Sequence, residues 1–335
     1  MLQLKNKSPF SPAIALFYDE EGVDTLYVIV RGTFNIGESL TIAEQQPPPL
    51  AQDVFWGDPA NSSLKYASDF HIGKAGTDVA LVGNAWAPDG DAVAEMYVYF
   101  GIAEKQKALK VTGNRFWING QITAPEPFES MPLVYERAYG GSHIIEGEEP
   151  KTLIEERNPV GRGFRGERSE EEMEEMPLPN IEDPTQLIQT PDDAPPPAGF
   201  GFIASPWQPR LQYAGTYDEQ WQKTRAPYLP EDFDQRFFNC AHPDLTFDRY
   251  LQGGEAIKIR GASVNGDLDF LVPVCLFTNK VTIANSTKEP LLNLDTILVE
   301  PDEQRLSLTW RAALPCDKKT LKIQEIELDL LEIHL

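Results

Sequence analysis

Cysteine is scarce in this chain. Three thiols, Cys240, Cys275 and Cys316, are spread through 335 residues, widely spaced and odd in number. That excludes a disulfide framework and a paired C-x-x-C metal site as organising devices, and it fits a reducing, cytoplasmic compartment. Basic residues are also short: 29 Lys and Arg face 52 Asp and Glu, a formal net charge of -23. The mean field therefore repels phosphate backbones and anionic headgroups, so neither nucleic acid nor a membrane surface is expected as a partner. No apolar run is long enough to cross a bilayer as a helix. The opening MLQLKNKSPFSPAIALFYDEEG lacks a small-residue cleavage pattern and does not read as a signal peptide. Long helical periodicity is missing too, while 28 Pro and 24 Gly multiply the turns.

What is present is alternation closed by turns. YDEEGVDTLYVIV, WAPDGDAVAEMYVYF, RFWINGQITA and IKIRGASVNGDLDFLV each place Gly after Glu, Asp or Asn between strand-like flanks, and predict hairpins. Near the end, Leu294, Thr296 and Leu298 alternate on one side of Pro301–Gln304, and Leu306, Leu308 and Trp310 on the other, predicting a further hairpin. The last segment alternates Ile326, Leu328 and Leu330 with Glu327 and Asp329; period two favours a strand over the helix that Glu and Leu also suit. The fold class expected is mainly β: antiparallel, sandwich-like sheets with long loops and a few short helices.

Between residues 146 and 200 the texture changes to Glu clusters and prolines, with few apolar residues to offset the entropy of ordering. A β-rich part over 1–165, an acidic Pro-rich surface segment or linker over 166–200, and a β-rich part over 201–335 are expected, the two β-rich parts possible as one continuous domain. The stretch 165–198 should be exposed and poorly anchored.

Familiar chemistry fails on context. Gly161, Gly163 and Gly166 have dinucleotide-loop spacing, but no buried strand precedes them and Glu167, Glu170, Glu171 and Glu172 would repel a phosphate, so a glycine-rich loop is the better reading. Cys240 and His242 are close, without the further ligands of a zinc site or the orienting group of a thiolate nucleophile. YGGSH does not match the nucleophile elbow of serine hydrolases. Paired carboxylates, Asp218 with Glu219 and Asp232 with Asp234, keep carbohydrate binding or glycoside processing as an alternative. No catalytic set, cofactor or metal is expected. TYDE matches a capping box, with Thr216 as the cap and Glu219 reaching back, opening a short helix over Tyr217 to Arg225 that Ala226 before Pro227 ends. The anchors Tyr228, Leu229, Phe233, Phe237 and Phe238 then suit a long connection pinned to a core.

An ordered set of segments carries a resemblance: YERAYGG (135–141), NPVGRGF (158–164), WQPR (207–210), AGTYDEQW (214–221), RAPYLPEDFDQRFFNCAHPDL (225–245) and LQGGE (251–255). With VRGTF (30–34), SDF (68–70), KAGTDV (74–79) and GNRFW (113–117), they resemble the bacterial domain of unknown function 2169 family over roughly residues 1 to 290. KAGTDV departs from the pattern in lacking a Pro after Lys74. The resemblance implies an adaptor or chaperone of type VI secretion that helps load a toxic effector onto the spike protein, with no enzymatic role and no catalytic residues to carry over. Arg137, Tyr139, Trp207, Arg210, Thr216, Tyr217, Trp221, Arg225, Asp232, Asp234 and Arg236, drawn from these segments, are the candidate signature-loop or partner-binding residues, and the capping box, proline stop and aromatic spacing favour a structural loop that shapes a partner surface over chemistry. An acidic surface would favour a basic toxin as cargo.

Overall fold

The computed structural model describes residues 3–335. Strands dominate, and the only α-helix among the described residues is Glu219–Thr224, accompanied by short 3-10 turns. The chain is mainly β with predominantly antiparallel sheets, as the alternation predicts.

The central sheet runs in the order Ser11–Tyr18, Asp24–Asn35, Arg305–Pro315, Asn293–Glu300, Asp78–Leu81, with Thr41–Ile42 beside Asp24–Asn35. Its last pairing is parallel and the others are antiparallel. A second sheet orders Ile181–Glu182, Lys105–Thr112, Glu95–Ile102, Ala256–Arg260 and Leu268–Leu271. A third orders Gln3–Asn6, Ile323–His334, Val274–Ile283 and Ser286–Lys288. Strands from before residue 165 and after residue 201 thus share all three sheets. Apolar residues from all three meet in one core, including Val28 and Leu308, Phe100 and Ile257, Val281 and Leu328. Phe10 joins the central and third sheets: it stacks on Trp310 at 5.8 Å and tilts against Phe277 at 6.1 Å, pairs that add about 0.5–1.5 kcal/mol each beyond their buried area.

Three of the four glycine-marked hairpins form, at Asp19–Val23, at Asn119–Gly120 and between Arg260 and Leu268. Asn119 (φ 51°) and Gly120 (φ 71°) both lie in the left-handed region that a two-residue type I′ turn requires. The fourth does not form. Around Gly90, Asn84–Trp86 pairs with Ser130–Pro132, whereas Glu95–Ile102 pairs with Lys105–Thr112 and Ala256–Arg260. Turn chemistry is local, but Val98, Phe100 and Ile102 are buried in the main core, and that burial selects their partners.

The Pro301–Gln304 hairpin forms with one change of register. A bulge at Asp295 puts Leu294, Ile297 and Val299 opposite Trp310, Leu308 and Leu306, and moves Thr296 and Leu298 to the other face. The expected set Leu294, Thr296, Leu298 is therefore split. The closing segment is a strand, Ile323–His334, with Ile326 and Leu328 fully buried.

The stretch 165–198 is more firmly held than its composition suggests. Met173, Leu178 and Ile188 pack with Trp117 and Tyr139, Ile181–Glu182 adds a strand to the second sheet, and buried Glu182 is paired with Arg115. A few well-placed apolar residues suffice because the scaffold supplies the rest of the small core. Exposed glutamates lie at 146, 148, 149, 156, 167, 170–172, 174 and 175. A Glu-specific protease is expected to cut at these positions before any site between 178 and 188, as mass spectrometry of the first fragments will report.

Candidate functional site

The central sheet has two unlike faces. Leu26, Val28, Val30, Leu306, Leu308 and Trp310 face the main core. The intervening Arg31, Thr33, Ser307, Thr309 and Arg311 face the other way and are buried as well, because the loops carrying SDF, KAGTDV and NCAHPD cover them. Buried charges need partners. Arg31 pairs with Asp69 at 3.1 Å, and Arg311 Nε donates to Asp295 at 2.7 Å while its Nη2 donates to the Asp69 carbonyl at 2.6 Å. His71 stacks on Phe238 and lies beside Arg311; burial, then Arg311, Lys74 and Arg210, hold it well below the usual histidine range.

At the parallel edge, Lys74 Nζ sits 2.9 Å from Asp78 Oδ2 and donates to Thr296 Oγ1 at 2.7 Å. Asp78 also accepts from the Cys240 N–H (2.7 Å), Asn239 Nδ2 (3.0 Å) and Thr246 Oγ1 (3.2 Å). Burial works against both charges, yet Asp78 holds Lys74 raised and Lys74 holds Asp78 lowered. The Cys240 thiol, 3.4 Å from Asp78, is pushed up to about 12, first by burial. It is a protonated, enclosed thiol facing Lys74 and Asp78, and makes no hydrogen bond to His242. One cluster therefore unites KAGTDV with NCAHPD across the chain.

Outside this cover, residues 213–236 form a self-braced loop. A six-residue helix is too short to hold by itself. Its cap is Asp218, whose Oδ1 accepts from the Trp221 N–H at 2.8 Å, so Thr216 is not the cap that the TYDE pattern predicts. The register is set by a stronger demand: Thr216 bonds Asp232 twice, through its N–H at 2.9 Å and its hydroxyl at 2.7 Å, tying the two limbs together. Trp221 Nε1 donates to the Tyr228 carbonyl at 2.9 Å and its ring meets Tyr217 edge-on at 4.7 Å. Arg225 donates to the Leu229 and Glu20 carbonyls, and Asp234 holds Arg236 over the Tyr213 ring at 4.4 Å. Phe233, Phe237 and Phe238 pack on each other with centroids 5.4–5.9 Å apart. Tyr217 remains exposed. A hollow of about 230 Å³ in the loop is lined by Asp218, Trp221, Arg225, Glu231 and Asp232.

The other singled-out residues lie in the scaffold. Trp207 is buried edge-on to Tyr135, and Arg210 donates to the Ile203 and Phe237 carbonyls, fixing the foot of the loop. Arg137 and Arg162 both donate to the Asn180 side-chain Oδ1, and Tyr139 belongs to the Trp117 core. The glycine-rich loop is a packing device: a Cβ on Gly161 would lie 2.4 Å from Asn158 Nδ2, and Gly163 has φ 88° against Pro179.

Beside the loop's foot is a hollow of about 520 Å³, lined by Lys107, Arg157, Asp183, Gln212, His242 and Asp244 among others. An adjoining hollow of about 260 Å³ shares its Ile203, Pro209 and Pro243 walls and reaches Tyr213 and Arg236. Lys107 pairs with Asp244 at 2.6 Å. His242 Nδ1 accepts from the Asp244 N–H, and the ring is driven down to about 4, by burial first and Lys107 next. Between pH 6.5 and 4 the unfolded chain thus takes up a proton that the folded chain refuses, so stability falls as pH drops through that window, by about 3 kcal/mol from this group. His242→Asn, which keeps an acceptor, is expected to flatten this slope; urea midpoints at pH 7 and pH 4.5 will show whether wild type loses more than the variant.

The sequence pointed to Cys240 and His242 but not to the Lys74–Asp78 or Asp295–Arg311 pairs. The available signal was the i, i+4 charge pair inside KAGTDV and the Arg-Thr and Ser-Thr-Arg alternation in strands, which reads as a wetted face unless a loop is known to cover it. Among the described residues no group of three or more His, Cys, Asp or Glu has metal-holding geometry, and no helix is long and apolar enough to cross a membrane.

No curated protein and no solved structure matches the chain. A family model does, over residues 21–311. The match begins later than the resemblance drawn above and extends beyond residue 290 through the 293–311 strand pair, leaving the closing strand outside it. The segments that assemble the covered sheet face and the braced loop all fall within that span, and the chain belongs to the DUF2169 family, described as an uncharacterized protein conserved in bacteria.

Proposed function

We propose that this protein is a non-enzymatic adaptor or chaperone that helps load a toxic effector onto the spike protein of a type VI secretion system. The observation that carries the reading is the 213–236 loop. Three of its carboxylates are engaged in holding its own shape, with Asp218 capping a helix, Asp232 bridging to Thr216, and Asp234 fixing Arg236. A pre-shaped loop with an exposed aromatic, next to two adjoining hollows, is what a recognition surface needs, since preorganisation lowers the entropy cost of binding and aromatic or Arg anchors contribute most of the affinity. The net charge of -23 supports a basic cargo.

The alternative, a carbohydrate-binding or glycoside-processing protein, draws on the 230 Å³ hollow with its Trp and carboxylates. It is the weaker reading because Trp221 is pinned by Tyr228 and Tyr217 rather than presented as a flat platform. A pull-down from a secretion-active strain separates the two: co-capture of a toxin and the spike protein is expected. Capture of neither, together with glycan turnover lost in a carboxylate variant, would reject the adaptor reading.

A further inference from the structure

The two ends of the central sheet are treated differently. Asp78–Leu81 is covered, with Asp78 bridged to Thr246 and the Leu81 N–H bonded to the Phe200 carbonyl. At the opposite end, among the described residues, Ser11–Tyr18 pairs with Asp24–Asn35 alone. Its sequence, SPAIALFY, has no charged residue in a chain that is 24% charged, and its register contains no bulge. Apart from Pro12 near one end, the devices that blunt an edge strand are missing. Leu16, Phe17 and Tyr18 are 51%, 36% and 47% exposed.

The backbone is free as well. Hydrogen bonds in an antiparallel pair alternate between partners. The Asp19 N–H donates to the Val23 carbonyl, and Asp24 directs its carbonyl to Cys316 on the far side. With the register pairing Phe17 with Thr25, Ala15 with Tyr27 and Ala13 with Ile29, those residues bond inward, and the N–H and C=O of Ile14 and Leu16 point outward. We propose that this edge is a docking strand at which an extended, basic segment of a partner protein adds a strand to the central sheet.

Charge selects the occupant. The strand ends in the turn Asp19, Glu20, Glu21, Asp24, where burial, then Asp19, Asp234 and Glu21, raise the Glu20 carboxyl. The carboxylates there act on one another, and a basic segment relieves that repulsion, whereas a second copy of a chain carrying -23 adds to it. The edge is continuous with the braced loop, since Tyr18 meets Tyr228 at 5.0 Å and Arg225 bonds the Glu20 carbonyl. The inference rests on the adaptor reading only for the partner's identity.

The test uses the full chain and capped synthetic decapeptides: alternating lysine and valine, the same peptide with a central proline, and alternating glutamate and valine. Titration calorimetry should show binding of the first alone, and hydrogen exchange should slow at the Ile14 and Leu16 amides when it is present. Leu16→Pro removes an outward N–H and no internal hydrogen bond, and edge strands accept proline; binding should fall at least tenfold with the unfolding midpoint kept. Leu16→Lys, which keeps the N–H, should also weaken binding, and it decides the matter should the proline variant not fold. Equal binding of the proline-containing peptide, unchanged exchange at Ile14 and Leu16, or a dimer in light scattering that Leu16→Lys dissociates would overturn the proposal. The peptides are synthetic, so their failure leaves the toxin pull-down, and with it the adaptor reading, to be judged separately.

Discussion

Lys74→Met should destabilise the protein by about 3–5 kcal/mol at pH 7, read as a lowered urea midpoint with an unchanged slope. The methionine fills a similar volume, so the loss is not one of packing. It leaves Asp78, which is fully buried, without the cation 2.9 Å away, while its bonds from Asn239, Thr246 and the Cys240 amide persist. Against a typical total of about 5–15 kcal/mol such a loss is a large fraction. Asp78 is held below the ordinary carboxylate range, so its contribution is present above about pH 4 and is lost as pH falls through the lowered value. The Lys74→Met deficit should therefore shrink in acid, which a cavity would not cause.

Trp221→Ala should act on binding far more than on the fold. The ring is half-buried, packs on Tyr217 and bonds the Tyr228 carbonyl, but it belongs to none of the apolar clusters. Removing it frees the 219–229 limb, which a six-residue helix cannot hold by itself. Faster amide exchange over 219–229, a global loss of no more than about 1–2 kcal/mol, and at least a tenfold weaker association with cargo, about 1.4 kcal/mol, are expected. Asp218→Asn is the control: asparagine caps a helix as well as aspartate does, so fold and association should both stay near wild type.

Residues whose partners lie nearby were legible in the sequence. The Asn119–Gly120 turn, the Pro301–Gln304 hairpin and the closing strand all follow from period-two patterning and turn residues, which act within a few positions. The braced loop was legible as architecture, through its aromatic spacing and the proline after Ala226, but its cap was not. Asp218 and Thr216 can both cap, and Asp232, sixteen residues on from Thr216, decides between them. The bulge at Asp295 was hidden because no turn residue or break in the local pattern marks it, and the Arg311 that pairs with Asp295 lies across the strands. The covered face of the central sheet was hidden for the same reason: Arg31 and Arg311 signal water until loops 38 or more residues away bring Asp69 and His71 over them. Composition misled over 165–198, where Met173, Leu178, Ile181 and Ile188 are few but each reaches a core that other segments had built.

The most direct measurement of the central claim is titration of the purified protein with a toxin encoded beside its gene and with the spike protein, run in parallel with a glycan hydrolysis screen. Saturable association with the toxin, weakened at least tenfold by Trp221→Ala and left intact by Asp218→Asn, with no glycan turnover, is the predicted result. Turnover of a glycan that Asp218→Asn abolishes, with no association to toxin or spike protein, would contradict it.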